Sequence, residues 1–210
     1  MSEYLRDPEA IYRQSFAAIE AEADFARVPE SARPLARRLV HACGMPEIVP
    51  GLVFNGDPAG AGAAALRAGA AVFADCAMAS AGIVRRRLPA GNPVLCLLDD
   101  PRVTWLAAAH ATTRSAAAVE LWRERLEGSI VAIGNAPTAL FRLIEILEEG
   151  APAPAAIFAF PVGFVGAAEA KDALIARVTA VPFVTLKGRR GGSPLAAAAV
   201  NALTLGEAAP

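Results

Sequence analysis

Ser129-Ile130-Val131-Ala132-Ile133, followed at once by Gly134-Asn135-Ala136-Pro137-Thr138, is the stretch whose reading decides the fold. A short uncharged apolar run closed by Gly, Asn and Pro reads as a strand buried on both faces. Runs of the same kind stand at 71–74, 94–98, 155–160 and 183–186, with helical segments between them and after the last. Helix-length connections between short buried strands argue for parallel pairing. The expected fold is α/β: three layers, a mostly parallel sheet of about five strands, and helices on both faces.

The residues after each strand are informative. Asp75 follows the first and Asp99-Asp100-Pro101 the second. Gly134 to Thr138 follow the third, Pro161 to Gly166 the fourth, and Lys187-Gly188-Arg189-Arg190-Gly191-Gly192-Ser193 the fifth. Open parallel sheets bind ligands beyond the carboxyl ends of their strands. The glycine-rich and polar punctuation therefore falls on the edge where a site is expected.

Ahead of the sheet lies a helical arm, residues 7–43. Asp7-Pro8-Glu9 opens its first helix, with Asp7 as N-cap, and Ile11, Ser15, Ala18, Ile19 and Phe25 share a face that Glu22 interrupts. A second helix runs from about Pro34 to Cys43 on a stripe of Leu35, Leu39, Ala42 and Cys43, and Gly44 stops it. Gly206-Glu207-Ala208-Ala209-Pro210 reads as a loose tail.

The chain has 210 residues, which suits a single domain over 1–210. Apolar residues make up 55% and aromatics only 6%, so the core is expected to be alanine-rich and closely packed. Lys+Arg is 20 and Asp+Glu 21, a net charge of −1, which implies no bulk attraction to nucleic acid or membrane. Any charged ligand must be met by a local cluster. The three cysteines, Cys43, Cys76 and Cys96, form no CxxC pair and fit a reducing compartment. The N-terminus is polar, with no signal peptide, and prolines and glycines break the longest uncharged stretch, 150–168. A soluble cytoplasmic protein is expected.

His41 is one of two histidines. It lies off the apolar stripe of its helix, with Arg37 and Arg38 one turn back on its side. The helix dipole there favours the imidazolium and the arginines oppose it, so it is poised to titrate near neutrality. Spacing alone favours an ordinary surface histidine. His110 reads as structural. Cys43, two residues beyond His41, is turned away from it and reads as a small buried thiol. No metal-site spacing is present, so no structural zinc is expected. Gly60-Ala61-Gly62-Ala63-Ala64-Ala65 resembles a relaxed dinucleotide fingerprint, but Asn55 to Ala59 separate it from Leu52-Val53-Phe54. A small-residue helix packing closely on the sheet explains it as well. Arg85-Arg86-Arg87, Arg114 and Arg189-Arg190 fall near element ends, where guanidinium forks can grip carboxylates or simply face water.

Leu39-Val40-His41-Ala42-Cys43-Gly44, Thr113-Arg114-Ser115, Gly134-Asn135-Ala136-Pro137-Thr138 and Pro161-Val162-Gly163-Phe164-Val165-Gly166, in that order, resemble the precorrin-8X methylmutase family, the precorrin isomerases of cobalamin biosynthesis. The resemblance runs from Asp7 to Ser193 and includes Ser15-Phe16, Asp75 with Met78, Arg87-Leu88-Pro89, Glu169 with Lys171-Asp172, and Gly188-Arg189. It departs at three places. Gln14 stands where members often carry Arg, Ala77 where they tend to be polar, and Lys187 where some have Arg.

The resemblance implies an isomerase that moves a methyl group from C-11 to C-12 of precorrin-8X to give hydrogenobyrinic acid, or of its cobalt-containing counterpart. It implies that His41 gives or takes a proton at the macrocycle and that Ser15 binds substrate. Arg114, Lys187 and Arg189 are expected to hold the peripheral carboxylates, chiefly on charge logic. The resemblance implies no cofactor, no catalytic metal, and a homodimer with shared active sites. Two other readings compete with it. A non-catalytic corrinoid carrier on the same fold would need the cations but not His41, and a nucleotide-dependent oxidoreductase would use Gly60 to Ala65.

Overall fold

The structure, a computed structural model, describes residues 4–204, so the tail expected at 206–210 lies outside the described residues. A six-stranded sheet forms the middle layer, in the order β1-β6-β5-β4-β2-β3. Its strands are β1 (Leu52–Asn55), β2 (Val72–Ala74), β3 (Val94–Leu95), β4 (Ile130–Ile133), β5 (Ala156–Ala159) and β6 (Phe183–Leu186). All neighbours are parallel except β1 and β6, which pair antiparallel with Leu52 opposite Leu186. The strand additional to the expected five is β1. It is an edge strand with one neighbour, all four of its residues are only half-buried, and its apolar run of Leu52, Val53 and Phe54 ends in polar Asn55. The opposite edge strand, β3, ends at Leu95 rather than 98 because its partner β2 offers only three residues to pair with.

Alternation along the strands splits the core in two. Ile130 and Ala132 of β4, with Phe158 and Val184, face α2 (Arg33–Cys43), α3 (Pro58–Arg67) and α9 (Ser193–Ala202) through Leu35, Leu39, Leu66, Leu195 and Ala199. Val131 and Ile133, with Phe73, Ile157 and Phe183, face α6 (Arg114–Glu120), α7 (Pro137–Glu148) and α8 (Ala167–Arg177) through Val119, Leu140, Leu143, Ile144 and Leu174. Truncating a fully buried side chain such as Leu143 to Ala should cost about 2–5 kcal/mol. The remaining helices, α4 (Ala77–Gly82) and α5 (Pro101–Ala109), flank the β2 and β3 side. Small residues permit close approach: a Cβ on Gly134 would fall 2.6 Å from Ser193 Cα.

The N-terminal helices form as expected but present different faces. In α1 (Pro8–Glu22), Asp7 caps the helix by accepting from the Glu9 N–H at 3.1 Å. Its buried side is Phe16 and Ile19, flanked by half-buried Tyr12 and Ser15, while Ile11 and Ala18 are exposed. The buried residues of α2 are Leu35, Ala36, Leu39 and Val40, while Ala42 is exposed and Cys43 half-buried. Gly44 ends α2 in the left-handed region, at φ 66°. Both shifts have one cause: α2 lies between α9 and α1, so it must be apolar on two sides rather than along one stripe.

Candidate active site

The carboxyl ends of β4, β5 and β6 form one edge, and buried polar atoms bind its loops together. Asp75, 2% exposed at the end of β2, accepts backbone N–H groups of Gly134, Asn135 and Ala136 at 2.9, 2.9 and 2.7 Å. Burial pushes its carboxyl up, and those three donors pull the other way. The loop after β6 is joined to the loop after β5 by Gly192 N–H to Phe160 C=O at 2.7 Å and Gly163 N–H to Arg189 C=O at 3.2 Å. Gly191 has no room for a side chain, since a Cβ would collide with the Phe160 and Pro161 carbonyls.

Helix α2 ends at this same edge. Beyond Gly44 a 3-10 turn over Pro46–Gly51 leads into β1, and Gly51 C=O accepts the Lys187 N–H at 2.9 Å. Arg190 Nη1 comes within 3.6 Å of Glu47 Oε1. The turn that follows α2, and with it the Cys43 end of the helix, therefore meets the basic loop 187–190. The sequence separates them widely.

His41 is exposed, with its ring stacked on Phe16 at 5.0 Å between centroids and 22° between planes. Tyr12 lies 6.1 Å away. The Arg38 guanidinium sits over the Tyr12 and Phe16 rings, at 4.9 and 4.8 Å. A cation over an aromatic face is attracted by the ring quadrupole, so Arg38 is fixed beside the histidine. Desolvation against this cluster lowers the His41 pKa from its ordinary value, and the Arg38 charge lowers it further. Arg37, expected to act with Arg38, turns instead to Glu20. Burial also lowers Arg38 itself, as does the nearby Arg87.

The other expected site residues are distributed unevenly. Ser15 lies one helical turn from Tyr12 and beside Phe16, and its hydroxyl donates to Ile11 C=O at 2.9 Å. Lys187 and Arg189 are exposed on the loop after β6, and Arg189 lies over the Phe164 ring at 5.6 Å. Arg114 is not gathered with them. It opens α6 and donates to Asp99 Oδ1 at 2.8 Å and Leu98 C=O at 3.0 Å, in the loop after β3. Gln14 is exposed, and Arg13 pairs with Glu9 at 3.6 Å on the outer side of α1. Arg13 therefore does not stand in for an arginine at position 14.

Gly60 and Gly62 lie inside α3 rather than in a loop ahead of it. Gly62 gives close packing, since a Cβ there would fall 2.8 Å from Leu203 and 3.3 Å from Phe158. Cys43 bonds back to Leu39 C=O at 3.3 Å, and burial pushes its thiol up. His110 ends α5 and borders a cleft of about 500 Å³ together with Arg123 and Arg142, on the α6–α7 face. Among the described residues no group of three His, Cys, Asp or Glu side chains converges as a metal site would require. No helix among them is long and apolar enough to cross a membrane.

Sequence reasoning set Arg38 one turn from His41, Arg87 in a run of arginines near an element end and Asp75 at a strand end, but named none of them as a site residue. For Asp75 the signal was present, an acid ending a buried strand. For Arg38 the spacing gave its place beside His41 but not what sets it apart from Arg37, because that depends on α1 folding back over α2.

Residues 10–205 match the family model described as Precorrin-8X methylmutase. A precorrin-8X methylmutase of Pseudomonas aeruginosa is 57% identical over 97% of this chain and 98% of its own length. One from Sinorhizobium is 56% identical over 96% of each. The crystal structure of a precorrin-8X methyl mutase from Thermus thermophilus superposes with a TM-score of 0.84 at 40% identity, covering 93% of this chain and 94% of that one. The chain belongs to the precorrin-8X methylmutase family, the methyl-shifting isomerases of cobalamin biosynthesis.

Proposed function

We propose that this chain moves a methyl group from C-11 to C-12 of metal-free precorrin-8X, giving hydrogenobyrinic acid, with His41 passing the proton. The observation that carries this reading is the placement of His41, stacked on Phe16 beside Arg38 in the last turn of a helix whose following turn meets the loop presenting Lys187 and Arg189. Isomerisation conserves every atom. A proton lent to the macrocycle while the methyl migrates must therefore be taken back afterwards. An imidazole with a lowered pKa is neutral for most of the time at pH 7, and its conjugate acid is the stronger for it, so it can do both.

The substrate's peripheral acetates and propionates supply the charge for the rim. Lys187 and Arg189 bind them directly, and Ser15 adds a hydroxyl from α1. Arg114 is the outer member of the set. Its pair with Asp99 is open to water on both sides, with side chains 56% and 85% exposed, so exchanging that carboxylate for one of the substrate's costs little. Two relatives at 57% and 56% identity are named for precorrin-8X, while others at 30–38% are named for cobalt-precorrin-8, and the higher identity of the first two favours the metal-free substrate.

The enzyme works as one domain over 1–210, with the arm 7–43 contributing His41 and Ser15. It works in the cytoplasm, which suits its three unpaired cysteines. Phe164 and Val165, 84% and 87% exposed, stand with Val162 on the loop after β5 at the site edge. Such a protruding apolar group calls for a cover. A second copy of the chain fits it, giving a homodimer in which each subunit shields the other's site.

The visible absorption spectrum of precorrin-8X during incubation with purified protein tests the reading. Wild type converts it, and His41→Ala slows conversion by roughly 10²–10⁴-fold while still binding the corrinoid. Equal conversion by both proteins would remove His41 from its role. Binding without conversion by the wild type would favour a carrier.

A further inference from the structure

The side chain of Lys171 on α8 is wholly buried, at 0% exposure. Lysine is almost never found so unless it is paired, because desolvating an ammonium is costly. Its neighbour Asp172 is exposed and offers little compensation. Burial pushes the Lys171 pKa down to about 8, because desolvation disfavours the charged form. Among the described residues its one hydrogen bond runs from Nζ to Arg190 C=O, at 2.7 Å.

That carbonyl belongs to the loop that presents Lys187 and Arg189. The loop has little stiffness of its own, with Gly188 at φ 81° and Gly192 at φ 124°, and Gly191 between Arg190 and Gly192. Glycine backbones lose the most freedom on ordering. Lys187 N–H and Gly192 N–H anchor the two ends. Between them, among the described residues, the backbone hydrogen bonds are the 3.2 Å bond from Gly163 N–H to Arg189 C=O and the charge-assisted bond from Lys171.

We propose that Lys171 is a positioning residue. Through Arg190 C=O it fixes the loop, so that Lys187 and Arg189 stand ready for the substrate's carboxylates. It touches no substrate itself. The proposal rests on the reading of Arg189 as a carboxylate-binding group. Its physical content is preorganisation, since a cation already in place loses less entropy when substrate binds. The effect belongs in KM, because it acts on binding common to ground and transition states.

The test is a double-mutant cycle in the full-length protein, assayed with precorrin-8X. Lys171→Met keeps the volume and removes the donor. It should raise KM roughly tenfold with kcat within about twofold, and melt within a few degrees of the wild type, since a buried charge is lost along with its bond. Arg189→Ala should raise KM by a similar factor. The double variant should be little worse than Arg189→Ala alone, because residues acting through one another are not additive.

Two independent, multiplying effects would overturn the proposal, as would a lowered melting temperature with KM unchanged. No KM effect of Arg189→Ala would overturn the reading beneath it, and the proposal with it. If Lys171→Met does not fold, Lys171→Leu, which likewise removes the donor, goes through the same cycle under the same criteria.

Discussion

Arginine serves two purposes in this molecule, and the two faces of the sheet keep them apart. On the α6–α7 face every guanidinium near the cleft is matched. Arg142 bonds Glu145 and Glu149 at 2.8 Å each and also pairs with Glu120, while Arg123 bridges Glu120 and Glu149. At the edge beside His41 the cations outnumber their partners. Arg37 pairs with Glu20 and Arg190 with Glu47, but Arg38, Arg87, Lys187 and Arg189 make no ion pair among the described residues. The near-zero net charge conceals this difference completely. A matched network has its acceptors within the protein, and a surplus of donors awaits acceptors from outside. On this contrast the edge is the binding surface, and the cleft beside His110, although a well-formed hollow, is structural.

The contrast can be broken by neutralising each side. Replacing Lys187 and Arg189 together by Met should raise KM for precorrin-8X by about 10²-fold, taking each charge-assisted contact at the low end of roughly 1.5–3 kcal/mol, with the melting temperature nearly unchanged. The rise should shrink at high salt, which already screens the wild-type contacts. A KM that does not move would mean that the surplus cations are not the carboxylate grip.

Arg142→Met should do the reverse. KM stays within twofold, while stability falls by about 1–2 kcal/mol, because one removal takes the donor from the half-buried Glu120 and ends two more exposed pairs, with Glu145 and Glu149. In a domain of this size that corresponds to a melting temperature lower by several degrees. The acid limb carries a second signature. Hydrogen bonds from Arg142 and Arg123 hold the Glu149 carboxyl down at about 2, against an ordinary value of 4.5. A depressed carboxyl stabilises the fold above its unfolded value and loses that contribution as pH falls through the folded value. Thermal melts should therefore show wild type losing stability between about pH 4.5 and pH 2 more steeply than Arg142→Met.

How far these faces are legible in sequence follows from the same physics. Strands β4 to β6 and their loops could be read directly, because a run buried on both faces must be apolar throughout, and the turns after it need Gly or Pro. Strand β1 could not be read in the same way. As a half-buried edge strand it obeys a looser rule. The faces of α1 and α2 differ from the periodicity because α2 lies between α9 and α1, and at that contact Tyr12 and Phe16 are covered by a cation, Arg38, that no apolar periodicity announces. Arg142 and Arg189 look alike in sequence. What separates them is whether a glutamate from another element arrives within reach, and that is decided only by tertiary packing. Lys171, between Ala170 and Asp172, reads as a solvated position until α8 is laid against the loop after β6.

The smallest effect sharpens the comparison at the histidine itself. Sequence spacing gave Arg37 and Arg38 the same standing, one turn back from His41. The structure gives them different neighbours: Arg37 is neutralised by Glu20, and only Arg38 adds to the lowering of the His41 pKa. Removing a positive charge favours the imidazolium. Arg38→Gln should therefore move the His41 titration to higher pH, followed through its ring protons by NMR, and should move the acid limb of the kcat/KM profile the same way. It should not restore the full ordinary value, because desolvation is the larger cause and Phe16 remains stacked on the ring. Arg37→Gln should leave the titration in place or, by freeing Glu20, raise it slightly. An equal upward shift in both variants would mean that the rim acts on His41 as a diffuse positive field, and the distinction between matched and unmatched arginines would fail where it is drawn most finely.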